Sequence, residues 1–116
     1  MNKVIAPVIK QAREGIIVSY DLHHAIKSAP QLYSDPESRR IYFSNEAPLA
    51  IHSLMKRPDL ADTLSLIAEN GKDGFYRGEI AQKIAKAFSD NEGFISVDDL
   101  VSYKARIQSP ISTKYR

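Results

Sequence analysis

The segment from Arg57 to Leu100 most constrains the fold, because it contains two consecutive amphipathic helix patterns separated by helix-ending residues. Arg57-Pro58 is typical of a helix start, since proline fixes φ and lacks the N–H that the first turn cannot use. Asn70-Gly71 can adopt the left-handed conformation that ends a helix. The apolar residues between these signals recur at three- and four-residue spacing and predict one buried stripe. The stripe consists of Leu60, Ala61, Leu64, Ile67 and Ala68.

A second helix is predicted after Asp73, whose carboxylate is placed to cap or charge its N-terminus. We expect this helix to run through Gly78 without interruption and to end at Gly93. Ser96 and Asp99 have the spacing of a capping box and predict a third, short helix. The second apolar stripe consists of Tyr76, Ile80, Ile84, Ala87 and Phe88. In the isolated chain we expect this stripe to be partly uncovered, which favours self-association.

The first half of the chain also predicts helices joined by short connections. A first helix, placed with its start near Ala6 so that Pro7 falls in the first turn, ends at Gly15. A brief extended link leads to a second helix capped by Ser19. Asp35-Pro36 starts another short helix. The apolar positions of the first two helices are Val4, Val8, Ile9, Ala12, Leu22, Ala25, Ile26 and Ala29.

The patterns together predict a mainly α chain, a single helical segment of about five or six helices over residues 1–116. Residues 45–56 are predicted to form an internal loop and residues 105–116 an extended tail. The chain has no cysteine, which excludes disulfides, thiolate zinc sites and a cysteine nucleophile. Its net charge of +2, with scattered basic residues, does not favour nucleic acid as a partner. No run approaches the ~20 apolar residues of a membrane span.

The run from 90 to 99 resembles an EF-hand calcium loop, with Gly93 at the sixth position. Its first position, however, is Phe88, which offers no carboxylate. Its twelfth position is Asp99, whose side chain is shorter than the glutamate that binds calcium through both oxygens. We therefore interpret the run as a glycine turn followed by a capping box, and keep a small calcium-responsive protein as one alternative.

Histidine and hydroxyl side chains do not form a recognisable catalytic pattern. His23 and His24 are adjacent, so on a helix they point about 100° apart and cannot easily share a metal. His52 lies in the predicted loop, and a zinc site would need further ligands. No G-x-S-x-G elbow is present. We therefore predict no catalytic, substrate-binding or metal-binding residue and no cofactor.

Several segments, in order and at matching spacing, resemble the middle of the large subunit of gamma-glutamyltranspeptidases. The matching runs are APVIKQAREGIIVSYDLHHAI, RPDLADTLSLIAENG, FYRGEIAQKIAKAF and ISVDDLVSYKAR, followed by Arg106-x-x-x-Pro110-Ile111-Ser112 and Tyr115-Arg116. The resemblance covers Val4 to Arg116. It implies an N-terminal nucleophile hydrolase whose full-length fold is an αββα sandwich, with this chain as a helical lobe.

The resemblance also implies where the chemistry of such an enzyme lies. The family uses a threonine at the start of its small subunit as nucleophile, downstream of the matched region, and an upstream arginine that holds the substrate carboxylate. Neither Thr63 nor Thr113 matches that nucleophile. We therefore expect a fragment that takes part in transfer or hydrolysis of gamma-glutamyl groups, such as that of glutathione, only with the rest of the enzyme, and that is inactive alone.

The partners implied by the resemblance are the remainder of the large subunit and the small subunit, in addition to the self-association expected from the second stripe. The alternative is a stand-alone helical protein-interaction module without catalysis. The residues assign no cellular compartment.

Overall fold

The computed structural model describes residues 2–115 and is mainly helical, which confirms the predicted fold class. The described residues form two compact units, one that ends at Gly71 and one that begins at Lys72. Each unit is defined by the packing within it. That residues 1–116 form a single helical segment therefore stays a prediction. None of the described helices is long and apolar enough to cross a membrane.

The first unit combines helices with two short antiparallel strand pairs. One pair places Ile16 opposite Met55, and the other places Phe43 opposite Pro48. Residues 45–56, which we expected to form a loop, thus also contribute two short strands. In chain order the elements are α1 (Asn2–Glu14), β1 (Ile16–Ile17), α2 (Tyr20–Lys27), α3 (Gln31–Ser34), α4 (Pro36–Tyr42), β2 (Phe43–Ser44), β3 (Ala47–Pro48), β4 (Leu54–Met55) and α5 (Pro58–Asn70).

Helix α1 begins at Asn2, earlier than the predicted start near Ala6, so Pro7 lies inside the helix rather than in its first turn. The helix tolerates Pro7 because a proline so close to the helix start removes only one backbone hydrogen-bond donor and crowds only one carbonyl of the preceding turn. The helix ends as predicted, at Gly15, whose φ of 101° is accessible to glycine and whose N–H donates to the Gln11 carbonyl at 2.8 Å.

The core of the first unit lies where α1 packs on α5 and where the β1–β4 pair leads into α2. Val18 and Ala61 are completely buried, and Ile26 is 2% exposed. The small side chains of Ala12 on α1 and Ala61 on α5 are both buried. Burial of a larger aliphatic side chain such as Val18 or Ile26 contributes roughly 1.5–3 kcal/mol relative to leaving it exposed.

The Ser19 cap predicted for the first unit is present, and Asp35, which was predicted to start a helix together with Pro36, also caps that helix. The Ser19 side chain accepts a hydrogen bond from the Leu22 N–H at 3.1 Å, and the Asp35 carboxylate accepts one from the Ser38 N–H at 2.7 Å. The hydrogen bonds from Ser38 lower the pKa of Asp35, because they stabilise its ionised form.

The second unit consists of α6 (Lys72–Tyr76), α7 (Gly78–Asp90) and α8 (Val97–Ser102). The sequence predicted one helix where the structure has α6 and α7. The helix is broken because Arg77 is extended and Gly78 adopts a φ of 68°, a conformation that glycine takes without the steric cost of a Cβ. Ile80 and Ala81 on α7 are buried, and the Tyr76 and Tyr103 rings stack with centroids 5.3 Å apart.

Beyond α8, residues 103–115 form neither helix nor strand. From residue 104 onward, the large apolar side chains of this tail are almost completely exposed. They are Ile107, Ile111 and Tyr115.

Candidate functional site

The most concentrated group of charges in the first unit surrounds the start of α5. Arg40 on α4 contacts Glu37 on the same helix at 2.9 Å and reaches Asp59 in the first turn of α5 at 3.6 Å. Arg57, which precedes α5, places its Nε 3.5 Å from the other Asp59 oxygen. These ion pairs join α4 to α5 and place a carboxylate at a helix N-terminus, where it is favoured by the helix dipole.

Asp59 is the electrostatic centre of this group. Burial raises the pKa of its carboxyl, but a hydrogen bond from the Leu60 N–H and the positive charges of Arg57 and Arg40 outweigh burial, so the pKa is lowered. The long Arg57–Asp59 contact is an ion pair rather than a hydrogen bond, since the buried Arg57 Nε has no hydrogen-bond partner among the described protein atoms. The group therefore holds Asp59 ionised, which suits a structural contact and opposes a role as a general acid.

A cavity of about 230 Å³ lies beside this group, within the first unit. Its walls come from α1, β1, β4 and α5 and are mainly aliphatic. The lining residues are Val8, Gln11, Ala12, Ile16, Met55, Arg57 and Leu60. Because the lining contains no nucleophile or general base, this cavity could accommodate an apolar group but offers no chemistry of its own.

The histidines serve local packing. The His23 Nδ1 lies 2.8 Å from the Leu49 carbonyl oxygen, a contact that requires the ring to donate from Nδ1. The neighbouring His24 ring lies against Tyr20, with centroids 4.2 Å apart. His52 adopts a φ of 68° in the turn before β4. The three histidines are thus not brought together around one point.

The hydroxyl groups of the two threonines considered from sequence are also not activated. The Thr63 Oγ1 donates to the Asp59 carbonyl one turn earlier in α5, at 3.0 Å. Thr113 lies exposed in the tail. Neither has a general base among its recorded hydrogen-bond partners.

In the loop that resembles a calcium site, Ser96 and Asp99 form hydrogen bonds with each other as a capping box. The Asp99 carboxylate accepts hydrogen bonds from the Ser96 N–H at 2.9 Å and the Ser96 hydroxyl at 2.6 Å, while the Asp99 N–H donates back to the Ser96 oxygen. The hydrogen bonds from Ser96 lower the pKa of Asp99. The predicted capping box is confirmed, and it engages the carboxylate oxygen that a calcium ion would need. Over residues 2–115, no group of three His, Asp or Glu side chains could hold a metal ion.

A family model described as Gamma-glutamyltranspeptidase matches residues 1–116. The chain belongs to the gamma-glutamyltranspeptidase family. The resemblance inferred from the sequence is confirmed.

Curated members of the gamma-glutamyltranspeptidase family match essentially the whole chain. The glutathione hydrolase proenzyme of Escherichia coli is 39% identical over 118 residues, which cover 100% of this chain and 20% of that protein. The capsule biosynthesis protein CapD proenzyme of Bacillus anthracis is 32% identical, covering 99% of this chain and 21% of its own length. The chain thus spans about a fifth of the length of these relatives.

Solved structures superpose on most of this chain. The gamma-glutamyltranspeptidase of Helicobacter pylori superposes with a TM-score of 0.89 at 31% identity, covering 99% of this chain and 34% of that one. The cephalosporin acylase of Bacillus halodurans superposes with a TM-score of 0.82 at 30% identity, covering 96% of this chain and 22% of that one.

The charged group around Asp59 was not predicted from the sequence. The Glu37–Arg40 pair could have been found, because residues three apart on a helix are neighbours. The contact between Arg40 and Asp59 could not, since it depends on how α4 and α5 pack. The prediction that the chain contains no catalytic, substrate-binding or metal-binding residue stays a prediction.

Proposed function

We propose that this chain forms the helical part of the large subunit of an enzyme that transfers or hydrolyses gamma-glutamyl groups of glutathione-type substrates. The observation that carries the proposal is the match of the family over all 116 residues, together with relatives named as glutathione hydrolases. On this proposal the chain supplies a scaffold, and the reacting groups lie in the remaining four-fifths of such an enzyme.

The surroundings of Thr63 and Thr113 support a scaffolding role. In the family that the chain belongs to, the nucleophilic threonine begins a subunit, and its own free amine can serve as base. Thr63 lies inside α5, where its backbone nitrogen is part of a peptide bond and its hydroxyl donates to a carbonyl. Thr113 lies exposed in the tail and, like Thr63, does not match the position of the family's nucleophile. We infer that neither hydroxyl attacks a gamma-glutamyl carbonyl.

The exposed apolar side chains indicate where partners would bind. Val4 is 78% exposed, Ile17 60% and Leu54 50%, whereas Ile80 of the second stripe is only 7% exposed. Uncovered apolar side chains thus lie on α1, on the β1–β4 pair and in the tail. The second stripe is also partly uncovered, since Phe88 is 38% exposed, and Phe94 beyond it is 97% exposed. We propose that the remainder of the large subunit and the small subunit cover these side chains, and that the isolated chain self-associates through them.

A segment exchange tests the proposal. The matched segment of the E. coli glutathione hydrolase proenzyme is replaced by this chain, and hydrolysis of a chromogenic gamma-glutamyl amide is measured. We expect the exchanged protein to be active and the isolated 116-residue chain to be inactive. Thr63→Ala and Thr113→Ala in the exchanged protein should leave kcat within about twofold, because neither hydroxyl is placed to react.

Two results would contradict the proposal. Turnover by the isolated chain would mean that it contains a complete active site. A folded but inactive exchanged protein would instead favour the stand-alone interaction module, whose binding surface need not be compatible with an enzyme. Sedimentation of the isolated chain tests self-association separately, and a monomer at high concentration would argue against it.

A further inference from the structure

The chain contains one asparagine that is followed by glycine, Asn70-Gly71, and the pair lies at the end of α5 and of the first unit. Glycine has no Cβ, so its backbone nitrogen can approach the side chain of the preceding residue with little steric hindrance. Nothing lies within 4 Å of the position that a Cβ would occupy on Gly71, so solvent can reach the pair.

We propose that Asn70 is a site of spontaneous deamidation, and that the last turn of α5 controls its rate. In this reaction the Gly71 nitrogen loses its proton to a solvent base and attacks Cγ of Asn70. The Cγ–Nδ2 bond breaks, and the amide leaves as ammonia after taking up a proton. Water then opens the resulting five-membered imide at one of its two C–N bonds, giving either aspartate or isoaspartate at position 70. No oxidant or cofactor is required.

Two hydrogen bonds at the helix end oppose the reaction in the folded chain. The Gly71 N–H donates to the Ile67 carbonyl at 2.8 Å, and the Asn70 Nδ2 donates to the Leu66 carbonyl at 3.1 Å. The first holds the proton that must be lost, and the second holds the amide that must rotate. Helix ends fray readily, so opening of this one turn is enough to release both groups.

The product would disturb the place where it forms. A carboxylate at the C-terminal end of α5 is unfavourable, because it faces the negative end of the helix dipole. The hydrogen bond to the Leu66 carbonyl would also be lost, since a carboxylate cannot donate. Isoaspartate would additionally insert one methylene into the main chain at the end of the first unit.

The chain provides a matched comparison at the end of α7. Asn91 comes directly after α7, whereas Asn70 is the last residue of α5; the Asn91 Nδ2 donates to the carbonyl of Ala87, likewise four residues earlier, at 2.8 Å. The following amide, that of Glu92, makes only a long contact of 3.4 Å to the Ser89 carbonyl. The backbone amide after Asn91 is thus held more loosely than the Gly71 amide after Asn70. The residue that carries it is a bulky glutamate rather than a glycine.

The test is a time course of the purified protein in mildly alkaline buffer, with and without denaturant, followed by peptide mass spectrometry and enzymatic detection of isoaspartate. Circular dichroism in the same buffer checks that the helices are formed. We expect product at Asn70 well before Asn91, and a rate in the native state roughly five- to 150-fold lower than in denaturant, the range that two net hydrogen bonds allow.

Two substitutions separate the chemistry from the control by the helix. Asn70→Gln keeps an amide but requires a six-membered ring, so product at position 70 should disappear. Ala68→Gly loosens the last turn without changing the pair, and should raise the native rate by up to roughly fivefold while leaving the rate in denaturant unchanged. Equal deamidation rates at Asn70 and Asn91 in denaturant would contradict the proposal that Asn70 is a preferred deamidation site. Equal native and denatured rates at Asn70, in protein shown to be helical, would overturn the control by α5.

Discussion

The two units of the chain contain polar contacts of very different sequence range. In the first unit, β1 pairs with β4 across a long stretch of chain, and Arg13 on α1 contacts Asp62 on α5 at 2.9 Å over a separation of 49 residues. In the second unit the recorded polar contacts are local, such as Lys86–Asp90 and the Ser96–Asp99 capping box. The first unit should therefore be sensitive to changes in packing, and the second to changes in helix caps and turns.

The largest expected effect is that of Ile26→Ala in the first unit. Ile26 is 2% exposed, so its truncation removes buried surface and leaves a cavity. The expected loss is about 2–5 kcal/mol in the free energy of unfolding, measured by denaturant titration.

The matched control for Ile26→Ala is Ile107→Ala in the tail of the second unit. Ile107 is fully exposed, so the same truncation should change stability by less than about 0.5 kcal/mol. Similar losses in the free energy of unfolding for the two variants would show that the tail is packed in solution. The expected difference between a packed first unit and an exposed tail would then be wrong.

The next effect is that of Gly15→Ala, which tests the junction of α1 and β1. Gly15 has a φ of 101°, and a Cβ there would lie 2.7 Å from Cγ of Leu54. Backbone strain alone should cost about 1–3 kcal/mol, and displacement of Leu54 should add to it. Thermal unfolding of the variant measures the total.

Gly78→Ala is the counterpart in the second unit. Gly78 also has a positive φ, of 68°, but no atom lies within 4 Å of its Cβ position. Its substitution should cost about 1–2 kcal/mol, from backbone strain only. If Gly78→Ala proved the more damaging of the two, the break between α6 and α7 would be more constrained than its open surroundings indicate.

The same difference in range explains what the sequence could predict. Ser19 and Ser96 were identified as caps because a cap acts on an amide two or three residues away, within the range of a local pattern. The pairing of Ile16 with Met55 could not be predicted, because two-residue strands carry almost no alternation and their register depends on the packing of α1 against α5.

Two local errors have a similar origin. A periodic stripe runs through Gly78, so periodicity predicted a continuous helix, whereas the backbone uses that glycine for a positive φ. Pro7 was placed in the first turn because that is its preferred position, although α1 begins five residues earlier. The charged group around Asp59 required the arrangement of two helices, which no local rule supplies.

Loss of a cap should have a moderate and local effect in the second unit. Ser96→Ala removes the oxygen that accepts from the Asp99 N–H, and should destabilise α8 by about 0.5–2 kcal/mol. Amide hydrogen exchange across residues 97–102 measures this. Ser102→Ala, at the other end of α8, is the control and should change exchange little, since its hydroxyl makes only an exposed 3.2 Å contact. Unchanged exchange in Ser96→Ala would mean that packing, rather than the cap, maintains α8.

The capping box should also make α8 sensitive to acid. The pKa of Asp99 is lowered from its ordinary value of 3.8 by the hydrogen bonds from Ser96, so its contribution to stability is complete above that value. The contribution is lost as the pH falls below 3.8 and through the lower pKa of the folded state. Amide shifts of Ser96 should report this transition, and Asp99→Asn should abolish it. Asp98→Asn, a neighbour outside the box, should leave the transition in place.

The smallest expected effect is that of the ion pair between Arg13 and Asp62. Both side chains are more than half exposed, so a double-mutant cycle with Arg13→Ala and Asp62→Ala should give a coupling of only about 0.2–1 kcal/mol, reduced by added salt. The parallel cycle on Lys86 and Asp90, a comparably exposed local pair, should give about 0.3–0.5 kcal/mol. Because solvent screens both pairs, sequence separation alone should not make the first one stronger. A coupling well above 1 kcal/mol for Arg13 and Asp62 would show that charge, and not only packing, joins α1 to α5.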